Sequence, residues 1–191
     1  PLLAGAGVVG IAVGLGAQSL IKDLIGGASI LIEDSLAVGD IVKIGQNGGV
    51  VEWLSLRAVR LRGLDGTLHT IPYSEFQTVS NMSKDFAFAV FDVSVAYRTD
   101  LDRAMEVMKE TAAETRQDPV LGPLILEDLD IWGVERFDDS AIIIRARFRT
   151  LPGKQWSVMR GFNRRLKLAF DAAGIEIPFP QRTVHLMAYP T

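Results

Sequence analysis

Pro1-Leu-Leu-Ala-Gly-Ala-Gly-Val-Val-Gly-Ile-Ala-Val-Gly-Leu-Gly-Ala-Gln18 carries no charged side chain; the first charge is Lys22, and a second apolar run extends from Leu24 to Ile32. An uncharged stretch of this length reaches the roughly 20 apolar residues that a bilayer-spanning helix needs. In water, so many glycines would each cost a helix about 1 kcal/mol relative to Ala. In a membrane, small residues instead let neighbouring backbones approach closely. At about 100° per residue, Ile11 and Leu15 share one face with Gly7 and Gln18. Ala6, Gly10 and Ala17 form a smooth flank on one side; Gly5, Ala12 and Gly16 form one on the other. A helix with two such flanks can pack against a neighbour on each side, and repetition of that contact closes a ring. The face between the flanks then lines a pore, with Ile11 and Leu15 as two apolar rings that stop ions by dewetting when narrow.

Gly5, Gly7 and Gly10 also spell G-x-G-x-x-G, but that nucleotide fingerprint requires a strand before it and a helix after it. Here the glycines continue through Gly14 and Gly16 in one uniform apolar run. Without an initiating Met or a basic n-region the stretch does not read as a secretory signal, and an opening at Pro1 leads us to expect a longer parent chain.

The 191 residues are 48% hydrophobic with net charge −3, a balance that offers no basic surface for nucleic acid. There is no cysteine, hence no disulfide and no thiolate metal site. His69 and His185 are too few and too far apart in sequence for a metal centre or a catalytic triad, and Asp138-Asp139 falls at an expected hairpin with no catalytic partner. No catalytic, cofactor-binding or metal-binding residue is therefore assigned, and the chain is not read as an enzyme. Arg57, Arg60 and Arg62 alternate on one strand and share a face, which reads as a solvated sheet face or as a contact with acidic residues of another subunit or with lipid headgroups. Trp53, Trp132 and Trp156 read as core or interface aromatics.

Three domains are expected. Residues 1–37 form the pore-lining transmembrane helix and an interfacial continuation, with Ser19 and the pair Gly26-Gly27 as the expected hinge. In residues 38–83 the period drops to two: short β-branched runs from Asp40 to Pro72, with Asp65-Gly66 as a hairpin signal and Thr78 to Met82 as a closing strand, make a small antiparallel barrel. Residues 84–191 alternate as β-α-β-β-α, with Asp100 as a helix N-cap and Gly174 at a helix C-terminus, in an α/β arrangement of ferredoxin-like type. Thr183 to Met187 reads as a detached strand that needs partners from other copies.

Four segments in this order, Gly10-Ile-Ala-Val-Gly-Leu-Gly-Ala-Gln18, Ala37-Val-Gly-Asp-Ile-Val42, Asp65-Gly66 followed by Ile71-Pro72, and Phe170-Asp-Ala-Ala-Gly-Ile-Glu-Ile-Pro-Phe-Pro-Gln181, resemble the small-conductance mechanosensitive channel (MscS) family over nearly the whole chain. The resemblance implies a homoheptamer in the bacterial plasma membrane, multi-pass in full, with residues after about 37 in the cytoplasm. It further implies an Sm-like β domain, an α/β domain enclosing a vestibule, and terminal strands joined in an intersubunit β-barrel. Ile11 and Leu15 align with the family's two hydrophobic gate positions; from the helical geometry, Gly7 lines the pore, Gln18 reads as a polar pore-lining residue or an interhelical hydrogen-bonding group, and Ala6, Gly10, Ala12, Gly16 and Ala17 form the packing flanks. The implied activity is a channel opened by membrane tension that releases ions and small solutes on hypo-osmotic shock, with lipids as partners, no cofactor and no nucleic acid. The reading from another class is a membrane-anchored oligomeric structural or regulatory module that does not conduct. Two positions depart from the family pattern: Ser19 stands where a kink glycine is usual, and Tyr73-Ser74 replaces Asn-Gly.

Overall fold

The computed structural model describes residues 2–182 and 184, with the side chains of residues 2–6, 8 and 9 outside that description. Two compact units divide at Lys84/Asp85.

The first unit opens with α1 (Leu2–Gly16) and α2 (Gln18–Ile32). Ala17 interrupts them at φ −91°, ψ −1°, the sparsely allowed bridge region, and the axes of Gly10–Gly16 and Gln18–Ile32 meet at 53°. This corrects the expected hinge, since Ser19 and Gly26-Gly27 all lie inside α2. The glycine pair serves packing. A Cβ on Gly26 would sit 3.0 Å from Tyr73 Cβ, and one on Gly27 would sit 2.7 Å from Tyr73 Cε2 and overlap the Leu56 carbonyl. The absent side chains let α2 press onto the sheet below, which holds the helix straight there and leaves the bend to Ala17.

A five-stranded antiparallel sheet follows: β1 (Ile41–Ile44), β2 (Asn47–Leu54), β3 (Ala58–Arg62), β4 (Leu68–Pro72) and β5 (Val79–Asn81), in the order β4-β3-β2-β1-β5. The outer strands β4 and β5 share no ladder among the described residues. Alternation of Val42 and Ile44, and of Val59 and Leu61, sends those side chains into one core with Leu36, Val51, Ile71 and Tyr73, against which Ile30 of α2 packs. Asp40 explains the Ala37-Val-Gly-Asp motif: Oδ2 accepts hydrogen bonds from the Ala37 N–H (3.0 Å) and Asn81 Nδ2 (2.7 Å), so the entry of β1 is tied to the end of β5. The Ser83 hydroxyl completes this closure by accepting from the Ile41 N–H at 2.8 Å.

The second unit contains β6 (Ala87–Val95), α3 (Leu101–Gln117), β7 (Asp130–Phe137), β8 (Ile142–Thr150) and α4 (Gln155–Ala173), with an antiparallel sheet in the order β6-β8-β7. Asp100 caps α3 by accepting from the N–H groups of Asp102 and Arg103, and Gly174 ends α4 at φ +68°, a left-handed geometry that suits glycine. Both helices bury their apolar stripes on one sheet face, where Phe162 of α4 meets Phe91 and Phe148 edge-on at 4.8 and 5.2 Å. The terminal strand expected at Thr183 to Met187 lies outside the described residues apart from Val184.

Candidate pore-lining face

α1 is apolar all round, and its described side chains are largely bare. Ile11, Val13 and Leu15 are 66%, 65% and 69% exposed, Gly7, Gly10, Ala12, Gly16 and Gln18 are exposed, and Ala17 is half-buried. A Cβ added at Gly7, Gly10 or Gly16 would meet nothing within 4 Å. The flank residue Ala6 has its side chain outside the description. A helix hydrophobic on every side is stable only when lipid or other helices surround it.

Length bears on the same point. The 15 residues of α1 rise about 22 Å at 1.5 Å each, short of the roughly 30 Å of a hydrocarbon core. No single described helix is long and apolar enough to cross, but Gly10–Gly16 and Gln18–Ile32 satisfy the length and composition together as a bent pair.

α2 carries the feature that sequence reasoning missed. Asp23, 6% exposed, turns inward and accepts the Ser74 N–H at 2.7 Å. Ser74 belongs to a single 3-10 turn, Tyr73–Glu75. Tyr73, buried in the core, donates its hydroxyl to the Ser55 carbonyl at 2.8 Å. Asp23, Gly26, Gly27 and Ile30 fall on one face of α2, opposite the exposed Ile21, Ile25 and Ile32, and the charge and paired glycines on that face were the signal available in the sequence. The Tyr73-Ser74 departure from the family pattern is thus where α2 docks: Tyr73 supplies the packing surface and Ser74 the backbone donor.

The expected shared face of Arg57, Arg60 and Arg62 holds only for the last two: Arg57 precedes β3 and stands three residues from Arg60, an odd spacing that a period of two sends to the other side. Arg62 pairs with Glu52 through two bonds of 2.8 Å, and the Arg60 guanidinium lies 4.7 Å from the Trp53 ring centre. On the second unit, the sheet face opposite the helices carries Arg145 in a fork on Asp92 (2.7 and 2.8 Å), and Arg136 also reaches Asp92. The Arg145 hydrogen bonds, with Arg136 adding to them, hold the Asp92 carboxyl down at about 2. Arg147 is stacked between Phe88 and Trp132 at 4.1 and 4.8 Å. Trp132 therefore acts as a surface clamp on an arginine. No group of three or more acidic or histidine side chains placed to hold a metal ion occurs among the described residues.

A kinked apolar helix, a small all-antiparallel β domain and a βαββα domain define the pattern of a mechanosensitive channel subunit. Residues 19–84 match the mechanosensitive ion channel β-domain and residues 89–177 match the C-terminal domain of mechanosensitive ion channel MscS. The chain is 37% identical over 188 residues to the small-conductance mechanosensitive channel of Caldanaerobacter subterraneus subsp. tengcongensis, covering 97% of this chain and 64% of that one. It is 36% identical over 178 residues to the moderate conductance mechanosensitive channel YbiO of Escherichia coli, covering 93% and 24%. The crystal structure of Helicobacter pylori MscS in its closed state shares the fold with a TM-score of 0.81 at 23% identity, over 98% of this chain and 74% of that one. The chain belongs to the MscS family of mechanosensitive ion channels. It spans 64% and 24% of the lengths of the two channels named above.

Proposed function

We propose that this chain supplies the pore helix and the cytoplasmic domains of a tension-gated, homoheptameric channel of the bacterial plasma membrane that releases ions and small solutes on hypo-osmotic shock. The observation that carries this reading is the bareness of α1: apolar on every side, smooth along two flanks, and with Ile11, Val13 and Leu15 about two thirds exposed among the described residues. Copies of α1 packed flank to flank through Gly10, Ala17, Ala12 and Gly16 cover both flanks at once, leave the Val13 side to lipid or outer helices, and turn Ile11 and Leu15 towards a shared axis. Gly7 and Gln18 line the same path above and below the gate. Tension favours the state with the larger in-plane area, so the helices slide over their smooth flanks, the two apolar rings separate and the path rewets. The bend at Ala17 lets α1 move while α2 stays docked on its β domain.

Expression of the full-length protein in bacteria stripped of their own tension-gated channels tests the proposal. Survival of a sudden osmotic downshock, with stretch-activated current in excised patches, is the expected result. A protein that assembles in the membrane yet neither rescues nor conducts would instead be the non-conducting oligomeric module.

A further inference from the structure

The turn between β2 and β3 is built against α2 yet leaves two side chains outside. The Ser55 hydroxyl accepts the N–H groups of Arg57 and Ala58 at 3.2 and 3.1 Å, and the Ser55 carbonyl accepts the Tyr73 hydroxyl at 2.8 Å, so the turn has one fixed shape. Its Leu56 carbonyl is pressed onto α2 at Gly27, where a Cβ would overlap it. The Leu56 side chain is 57% exposed. Arg57 is exposed as well and senses the Asp23 carboxylate through space; no hydrogen bond or ion pair holds its guanidinium among the described residues. Leu20, Leu24 and Leu31, all exposed, lie within about 60° of Gly27 around α2, so an apolar band borders the turn. An exposed leucine followed by an unbonded arginine, held beside an apolar helix face, is the composition of a segment that lies in a bilayer interface.

The depth of the turn agrees with this. Gly27 lies ten residues past Ala17, about 15 Å along α2, and the 53° bend leaves about 9 Å of that along the direction of α1. Added to the rise of about 22 Å through α1, this comes to about 31 Å, against roughly 30 Å of hydrocarbon core with about 5–7 Å of headgroups beyond it. We propose that the Ser55–Ala58 turn is a lipid-binding anchor of the first unit: the Leu56 side chain enters the acyl edge of the cytoplasmic leaflet, and the Arg57 guanidinium binds the phosphates of its lipids, preferring lipids of net negative charge. The proposal rests on the channel reading above and adds a lipid contact outside the spanning helices. Arg57 suits this task because a guanidinium takes a phosphate in two parallel hydrogen bonds, and the negative surface potential of the cytoplasmic leaflet draws basic groups to it. The tie of Asp23 to Ser74 keeps the neighbouring carboxylate turned inward, away from that phosphate.

The test places the full-length protein, in a cysteine-free background, in vesicles whose lipids carry bromine on the acyl chain near the headgroup. Single cysteines at Leu56 and, as the control, at Leu64, fully exposed beyond the other end of β3, carry a fluorophore that bromine quenches. Quenching several-fold stronger in Leu56→Cys than in Leu64→Cys is the expected result. Equal quenching at the two sites, or none at Leu56, overturns the anchor and puts the turn in water or against another protein segment. A second arm compares the tension that opens wild type, Arg57→Lys and Arg57→Gln in vesicles of phosphatidylglycerol and of phosphatidylcholine. The difference between the two lipids is expected to persist in Arg57→Lys and to fall at least twofold in Arg57→Gln; the same difference in all three proteins overturns the phosphate contact. Quenching needs no conduction, so strong quenching at Leu56 in a protein that passes no stretch-activated current keeps the anchor and overturns the channel reading alone.

Discussion

The Asp23 carboxylate accepts the backbone N–H of Ser74 at 2.7 Å across 51 residues of sequence. This bond joins α2 to the 3-10 turn between β4 and β5, which ties the helix to the sheet of the first unit. An acceptor is required at this place because the first N–H groups of a helical turn have no partner within it.

Asp23→Ala removes the acceptor and leaves the Ser74 N–H unpartnered, whereas Asp23→Asn keeps an oxygen in place. Amide hydrogen exchange is expected to be faster at Ser74 in the alanine variant and close to wild type in the asparagine variant. Equal protection in all three proteins would show that packing of Tyr73 alone holds the contact.

Gly27→Val puts a branched side chain against the Leu56 carbonyl and the Tyr73 ring. Overpacking of this kind costs about 1–3 kcal/mol, expected as a lower thermal midpoint of the first unit. Gly16→Ala is the matched control, because its Cβ meets nothing within 4 Å in the chain. It is expected to leave that midpoint unchanged and to alter only the tension at which the assembled protein opens.

Much of this fold was legible locally. Asp100 at a helix start and Gly174 at a helix end act through neighbours within a few residues, and period-two alternation in Val42, Ile44, Val59 and Leu61 marks a core face without knowledge of the partner strand. The docking of α2 was not legible in the same way. Gly26-Gly27 reads as a weak point when only the helix is considered, and only Tyr73 and Leu56, brought in by tertiary folding, show the pair to be a contact surface. Asp23 was masked likewise, since its partner is a backbone group with no side-chain signature. For the proposed gate, the described residues show only exposure: Ile11 is 66% and Leu15 69% exposed.

Asp92 gives the second unit a defined acid response. Its carboxyl is held at about 2, below the ordinary 3.8, first by Arg145 and then by Arg136. A depressed folded value means that the stabilisation is complete above the unfolded value of about 3.9 and is lost as pH falls through about 2. Wild type is expected to be more stable than Asp92→Asn at pH 7, with the two unfolding curves converging on acidification towards pH 2. A constant difference across that window would remove the ion network as its source.

Leu15→Ser places a hydroxyl in one of the two proposed apolar rings and is expected to hydrate the closed pore. Patch recordings should show opening at lower tension than wild type, together with slowed growth from solute leakage. An unchanged or raised threshold would count against a dewetting gate.

These 191 residues hold no cysteine, so a thiol introduced into α1 is unique within them and makes the central claim directly measurable. Single cysteines introduced at Leu15 and at Val13, on opposite sides of α1, are treated with a charged, water-soluble thiol reagent while stretch-activated current is recorded. Rapid loss of current in Leu15→Cys with no effect in Val13→Cys is the predicted result. Modification of Val13→Cys with Leu15→Cys untouched would put the Ile11 and Leu15 face against lipid or outer helices and contradict its assignment to the pore.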